Sequence, residues 1–382
     1  MRASVLADIH ALNLAEQVIA KANHAHPADV VLRHELIVER RIAPELKRAV
    51  SRAVFAYYRW IGWLPESQAL QARINKAIEL DAQFQTKADS FSDEELISRA
   101  VPAWVSGEME VTAPWVRALQ CEPKLWLRAR PGQALSLAKE LGECWVAAKA
   151  PLADALIYEG REDLFHTPEF HAGKFELQDI SSQAVSVLCE PQPGETWWDA
   201  CAGEGGKLLH LSDLMTNQGL IWASDRAAWR LQKLKRRAAR ARAFNYRSAL
   251  WNGGATLPTK TKFDGVLLDA PCSGIGTWHR NPHARWTATL NDVRELSELQ
   301  ERLLAHAAPA VKSGGKLVYA VCTLTRAETA KVVASFEKQF PEFQPLDLVN
   351  PFKPSQRSLG KLWCWPQECQ GNGMFVAGWK KS

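Results

Sequence analysis

Two cysteines stand where a reaction could be run. Cys272, in DAPCSG, follows the apolar run FDGVLL, and Cys322, in LVYAVCTL, follows a second apolar run. A thiolate can attack carbon, bind a metal or join a redox pair, while a buried thiol is only a small hydrophobe. Taken alone, the two thiols are open to all four readings. Asp269 lies three residues before Cys272, and Lys207 closes the glycine-rich stretch DACAGEGGK.

The glycine stretch follows TWWD, which reads as a strand, and leads into KLLHL, which opens a helix. Gly203, Gly205 and Gly206 let the backbone approach a ligand closely. It is not a phosphate-cradling GxxxxGK[ST] loop, because Cys201 and Leu208 occupy the decisive positions, and it lacks full GxGxxG spacing. Asp225 ends the next strand, GLIWASD, about twenty residues beyond the first glycine, as an acid holding ribose hydroxyls would. A nucleoside cofactor fits, S-adenosylmethionine among them; a purely structural tight turn is the alternative.

These residues need a scaffold that brings strand ends together. TWWD, GLIWASD, FDGVLLDAPCSG and GGKLVYAVCTL alternate with helical stretches such as NDVRELSELQERLLAHAAPAV. That alternation predicts an α/β, Rossmann-like doubly wound parallel sheet over residues 181–382, with ligands beyond the strands' carboxyl ends. Residues 99–180 mix short strands (LWLRARP, PLADALIYEGR, KFELQD) with the helix ALSLAKELGECW and predict a small α/β module. Residues 1–98 are helical in pattern. From Pro44, apolar positions Leu46, Val50, Ala53, Val54, Tyr57, Ile61 and Leu64 recur at three- and four-residue spacing, and Ser92 is placed to cap DEELISRAV.

The chain has 382 residues, 47% hydrophobic and 23% charged, the composition of a globular protein with a sizeable core. No membrane-spanning run or signal-peptide pattern is seen, and eight scattered cysteines suit a reducing compartment, so a cytoplasmic protein is expected. Cys364 and Cys369 are the one close pair; without a second pair they read as structural, and no metal is expected. The net charge of +5 is unevenly spread: RAAWRLQKLKRRAARAR, residues 226–242, carries eight basic residues and no acid. Such a run is either a solvated helix face or a surface for phosphates.

DACAGEGGK, FDGVLLDAPCSGIGTWHRNPHARW, LQERLLAHAAPAVKSGGKLVYAVCT and PQECQGNGMFVAGW together resemble RNA cytosine-5 methyltransferases of the Sun (RsmB) family. With LWLRARP and GKFELQDISSQAV, the resemblance covers roughly residues 120–380. More loosely, RAVSRAVFAYYRWIGWL resembles the last helix of a NusB-like RNA-binding domain. The resemblance implies methylation of cytosine carbon 5 in RNA, ribosomal RNA in the bacterial type, with S-adenosylmethionine as cofactor. It implies that Cys322 attacks the ring, that Cys272 assists elimination and release, and that Asp269 and Lys207 contact the flipped base. It assigns the cofactor to Cys201, Ala202, Gly203, Glu204, Gly205, Gly206, Lys207, Asp225 and Asp269. A monomer acting on RNA, with no membrane or metal partner, is the corresponding expectation.

The sequence departs from the family's pattern in three places. Gly203 and Glu204 stand where Ala and Pro are usual, VCT replaces TCS around Cys322, and no acid follows the third strand, leaving Asn245 or Ser248 as stand-ins. Arg280 and Arg285 either bind phosphate or support the fold through carboxylate pairing. Two competing functions remain: a non-catalytic RNA-binding or ribosome-assembly protein, and a thiol oxidoreductase, which leaves Asp269 and Lys207 without a purpose.

Overall fold

A computed structural model describes residues 9–39 and 43–382; residues 1–8, part of the N-terminal stretch expected to be helical, and 40–42 lie outside it. The chain opens with helices α1 (Ile9–Lys21), α2 (Ala28–Val38), α3 (Pro44–Trp60), α4 (Leu70–Thr86), α5 (Asp93–Arg99) and α6 (Ala113–Gln120). Pro44 sits in the first turn of α3, and Val50, Ala53, Val54, Tyr57 and Trp60 are buried along one stripe. Ser92 caps α5, its hydroxyl accepting from the Glu95 amide at 3.1 Å.

Next come β1 (Leu125–Ala129), α7 (Ala134–Leu141), β2 (Cys144–Val146), β3 (Ala155–Tyr158), α8 (Pro168–His171) and β4 (Phe175–Leu177). They are followed by α9 (Ile180–Cys189), β5 (Thr196–Asp199), α10 (Gly206–Leu214), β6 (Leu220–Asp225), α11 (Ala228–Ala241), β7 (Tyr246–Leu250) and β8 (Phe263–Asp269). The remainder comprises α12 (Pro282–Thr287), α13 (Leu290–Ala307), β9 (Val311–Val321), α14 (Val332–Gln339), β10 (Phe343–Pro345), β11 (Asp347–Val349), β12 (Arg357–Leu359), β13 (Lys361–Cys364), α15 (Pro366–Cys369) and β14 (Met374–Lys381).

The described chain forms two compact units. One comprises the residues up to Pro123 together with Gly274–Asp292, and the other Lys124–Ser273 with Val293–Ser382. The helical unit therefore runs on past the boundary expected near residue 98, because the turn at Ala103–Gly107 and α6 continue its packing. It also takes in the RNPHARW segment. There Trp278 is fully buried near Trp104 and Trp115, and the Arg285 guanidinium donates to the carbonyls of Ala100 and Leu119 and to Gln120 Oε1, each at 3.0 Å. Arg285 thus supports the fold through backbone carbonyls rather than through the carboxylate pairing expected; Arg280 is exposed.

In the second unit, β5–β9 form a parallel core in the order β7-β6-β5-β8-β9. Alternate residues face opposite sides: Trp197, Leu267, Val318 and Ala320 pack with α9, α10 and α11, while Trp198, Val266, Leu268 and Tyr319 pack with α13 and α14. Coverage on both faces explains why β8 reads as a continuous apolar run. The expected wholly parallel sheet is corrected at one edge. β14 inserts antiparallel between β9 and β10, with β13 paired to it, so the sheet is mixed. Short connections suffice there, since antiparallel neighbours need no helical crossover.

The small module is a four-stranded antiparallel sheet ordered β2-β3-β1-β4. One face packs on α7, and the other buries Trp126, Ala155 and Ile157 with Ile180 and Ala184 of α9. A buried ion network adds polar ties. Arg128 and Arg130 reach Asp213 of α10, and Glu176 accepts from Arg130, Arg237 and Arg240 at 3.0, 2.9 and 2.6 Å.

Candidate active site

Chain order reverses between β5 and β8, which sit side by side, so the ends of these two strands flank a crevice. The glycine turn leaves β5 on one side and Asp269 ends β8 on the other. Gly203 and Gly205 hold φ of +55° and +87°, in the region that side chains avoid. A Cβ on Gly205 would also lie 2.8 Å from Leu234 Cγ, so the turn and α11 can meet only with glycine there.

The turn borders a cavity of about 390 Å³ lined by Cys201, Ala202, Gly203, Glu204, Asp225 and Asp269, with Trp251, Leu299 and Leu303 on its apolar side. Asp225 ends β6, nearly buried; its Oδ2 accepts the Gly203 amide at 3.1 Å and its Oδ1 the Ala227 amide at 2.8 Å. Those two bonds fix the carboxylate while each oxygen keeps a lone pair for a ribose hydroxyl. Size, apolar wall and oriented acid fit a nucleoside cofactor. Arg226 and Arg230 also line the cavity, and Glu204 bonds Lys233 at 2.8 Å. Cys201 is enclosed, and burial pushes its thiol pKa up, so it is wall rather than nucleophile. Gly206 and Lys207 begin α10 and are not among the cavity-lining residues.

Lys207 instead turns toward Asp269, Nζ to Oδ2 at 2.6 Å. Burial works against its charge, but the Asp269 carboxylate outweighs that and, with Cys322 adding to it, raises the lysine's pKa. Lys207 is therefore a cation electrostatically coupled to Cys322. Asp199, at the end of β5, is buried without a side-chain partner, and burial, with Asp269 adding to it, pushes its pKa up to about 8 against the weaker pull of the Leu208 amide.

The two cysteine sulfurs lie 3.2 Å apart at the ends of adjacent strands and are not joined in a disulfide. What holds them together was missed in the sequence. Glu328, fully buried, accepts from the Ser273 amide (2.9 Å) and hydroxyl (2.5 Å), Thr323 Oγ1 (3.0 Å), Thr325 Oγ1 (2.9 Å) and Gln300 Nε2 (3.0 Å). Ser273 follows Cys272 and Thr323 follows Cys322, so a single carboxylate clamps both cysteine-bearing loops. The signal available was the hydroxyl-rich TLTRAE after Cys322.

One expectation changes. Asn245 is a scaffold residue, accepting from Ser212 Oγ at 2.6 Å and donating to the Gln218 carbonyl, and neither it nor Ser248 lines the cavity. Asn252 does, directly after Trp251. Cys364 and Cys369 are buried, and burial raises both thiol pKa values, that of Cys369 to about 12. Among the described residues no cluster of His, Cys, Asp and Glu could hold a metal ion, and no helix is long and apolar enough to cross a membrane.

Residues 186–380 match the family described as 16S rRNA methyltransferase RsmB/F. The probable ribosomal RNA small subunit methyltransferase B of Synechocystis is 32% identical over 89% of this chain and 84% of its own length. The Bacillus subtilis protein of the same description is 33% identical over 61% of this chain and 54% of its own. Among solved structures, PH0851 superposes with a TM-score of 0.78 at 24% identity, covering 99% of this chain and 98% of that one. A methyltransferase homolog from Pyrococcus horikoshii gives 0.58 at 26%, over 71% and 90%. With the cavity, the turn and the strand-end residues agreeing, the chain belongs to the RsmB/F methyltransferase family, and S-adenosylmethionine is its cofactor.

Proposed function

We propose that the protein methylates carbon 5 of a cytosine in RNA, with small-subunit ribosomal RNA as substrate, through a covalent bond between Cys322 and the base. The observation that carries this reading is the pair of sulfurs 3.2 Å apart beside the Lys207–Asp269 ion pair. Carbon 5 of cytosine is a weak nucleophile. A thiolate adding to carbon 6 moves electron density onto carbon 5, which can then accept a methyl group. S-adenosylmethionine supplies that group as an electrophilic methyl.

The remaining steps belong to the chain's own residues. Lys207 supplies positive charge near Cys322 and favours the thiolate over the thiol. Asp269, at the rim of the cofactor cavity, faces the same crevice and can accept from the base's amino group, and from N3 once that nitrogen takes up a proton as sulfur adds. A base then takes the carbon 5 proton, whose bonding pair restores the ring double bond as the carbon–sulfur bond breaks and Cys322 leaves as a thiolate. Cys272, in contact with the departing sulfur, serves that elimination. Cys201, Ala202, Gly203 and Glu204 of the turn hold the cofactor with Asp225 from the cavity wall, and Gly205 and Gly206 complete the turn.

The target base must leave its stack to reach Cys322, at a cost of a few kcal/mol. Phosphate contacts on basic surfaces offset that cost. The helical unit, read as NusB-like, and the small module that follows it select the RNA by shape, since RNA is seldom read through its deep major groove. The work is cytoplasmic in this reading. Bisulfite sequencing of small-subunit rRNA from cells with and without the gene tests it: one cytosine loses protection when the gene is deleted, and an unchanged pattern refutes it.

A further inference from the structure

A second cavity, of about 380 Å³, lies in the catalytic unit and shares only Glu204 with the cofactor cavity. It is lined by Phe165, Phe170, Lys233, Arg236, Arg237 and Arg240, with Glu176, Leu177 and Glu204 completing it. We propose that this cavity and the adjoining face of α11 bind an unpaired nucleotide of the RNA substrate, its base on Phe165 and its phosphate on Lys233 and Arg236. The inference rests on the RNA reading above and adds a binding site to it.

Three observations carry it. The first is the arrangement of charge. Leu231, Leu234 and Ala238 bury one side of α11, while Arg230, Lys233, Arg236, Arg237 and Arg240 lie along another, with Arg226 just before the helix. Arg226 and Arg230 line the cofactor cavity and the other four line the second one, so a basic stripe runs from one cavity to the other. Glu204 borders both.

The second is the part of this charge that the fold leaves over, once Arg230 has paired with Asp225 at 3.7 Å. Glu176 is buried and takes Arg237 and Arg240. Lys233 has only the half-exposed Glu204, a surface pair of small worth that a phosphate can replace. Arg236 has no carboxylate partner among the described residues and is exposed, as are Lys235 and Arg242. A solvated helix that served packing alone would not need this excess beside a concave surface.

The third is aromatic. Phe165 is 54% exposed and meets Phe170 edge to face at 5.0 Å, while the Arg240 guanidinium lies 3.7 Å from the centre of the Phe170 ring. On the same helix Trp229 is 53% exposed, with Arg230 and Lys233 over its ring. Bare aromatic faces set among cations are how proteins hold single strands, since bases stack on the rings while phosphates meet the charges. Paired RNA has no free base face to offer.

The test uses the full chain with Phe165→Ala and Arg236→Glu, two exposed side chains outside the catalytic and cofactor sites. The probe is a labelled mixed-sequence single-stranded RNA of about twelve nucleotides, within the site sizes such surfaces cover. Each variant is expected to bind it roughly tenfold more weakly. For Arg236→Glu the dependence of log affinity on log salt should flatten by about one. On 16S rRNA, KM should rise in step while kcat at saturating RNA and cofactor affinity stay as in the wild type. Unchanged affinity and salt slope in both variants overturn the proposal, as does a fully paired RNA that competes as well as the single strand. A wild-type protein that binds the oligonucleotide through these residues but transfers no methyl group to 16S rRNA leaves this surface standing and removes the catalytic reading instead.

Discussion

Glu328→Gln isolates the clamp between the two cysteine loops. The carboxylate accepts two fixed N–H donors, from Ser273 and Gln300, on Oε1 and three hydroxyls on Oε2. The glutamine amide can satisfy the N–H donors only with its oxygen at the Oε1 position, which turns its NH₂ toward the hydroxyls. Two amide protons can reach two of three hydroxyls, leaving one short of a partner. Charge assistance on the two N–H bonds is lost as well, about 1 kcal/mol each, and the unsatisfied hydroxyl adds about 1–3 kcal/mol. Removing a buried charge returns part of this, so the net loss is about 2–3 kcal/mol. Ser273 and Thr323 each adjoin a cysteine, so a loosened clamp displaces both sulfurs. A misplacement on the order of 1 Å costs about a hundredfold in rate. Urea unfolding should show the lower stability. Single-turnover methyl transfer should fall about ten- to a hundredfold, with cofactor affinity little changed because Glu328 does not line the cofactor cavity. Wild-type stability together with a rate within about twofold of wild type would refute the clamp.

Asp199→Asn tests the buried acid that ends β5. Its folded pKa, about 8, lies above the usual carboxylate value near 4. Between those values the unfolded chain has released a proton that the folded chain keeps, so stability falls as pH rises through that window, by a few kcal/mol. The asparagine variant should show a flatter profile in urea midpoints from about pH 5 to 8, and parallel profiles would remove the explanation. Arg285→Lys should destabilise the protein by about 2–4 kcal/mol, because an ammonium cannot serve the Ala100, Leu119 and Gln120 acceptors that the planar fork reaches. An unchanged melting temperature would mean the buried fork is dispensable.

The parts that were legible in the sequence share a physical cause. Strands β5, β6, β8 and β9 are covered on both faces, which leaves uninterrupted apolar runs, and each ends at a residue doing something polar. The strand-end placement of Asp225, Cys272 and Cys322 was therefore readable, while a role for Asp269 came only with the family resemblance. The Pro44 helix was visible because one buried stripe repeats. What stayed hidden depends on partners remote in sequence. Nothing local in RNPHARW says that Arg285 will meet carbonyls more than 160 residues upstream. The antiparallel placement of β14 depends on which neighbour it finds, since an apolar run does not encode strand direction. Glu328 went unread, because its five donors come together only when β8 and β9 pair and α13 packs beside them. Asn245 failed as a cofactor ligand for a similar reason: its bonds to Ser212 and Gln218 cross from other segments.

The central claim is that sulfur 322 bonds to the base. RNA carrying 5-fluorocytidine, in which carbon 5 holds no removable proton, should trap that bond when incubated with protein and S-adenosylmethionine. A denaturant-resistant protein–RNA band is expected from the wild type and from Cys272→Ala, and none from Cys322→Ala, with peptide mass spectrometry locating the adduct on Cys322. A band that survives Cys322→Ala, or an adduct mapped to Cys272, would contradict the account.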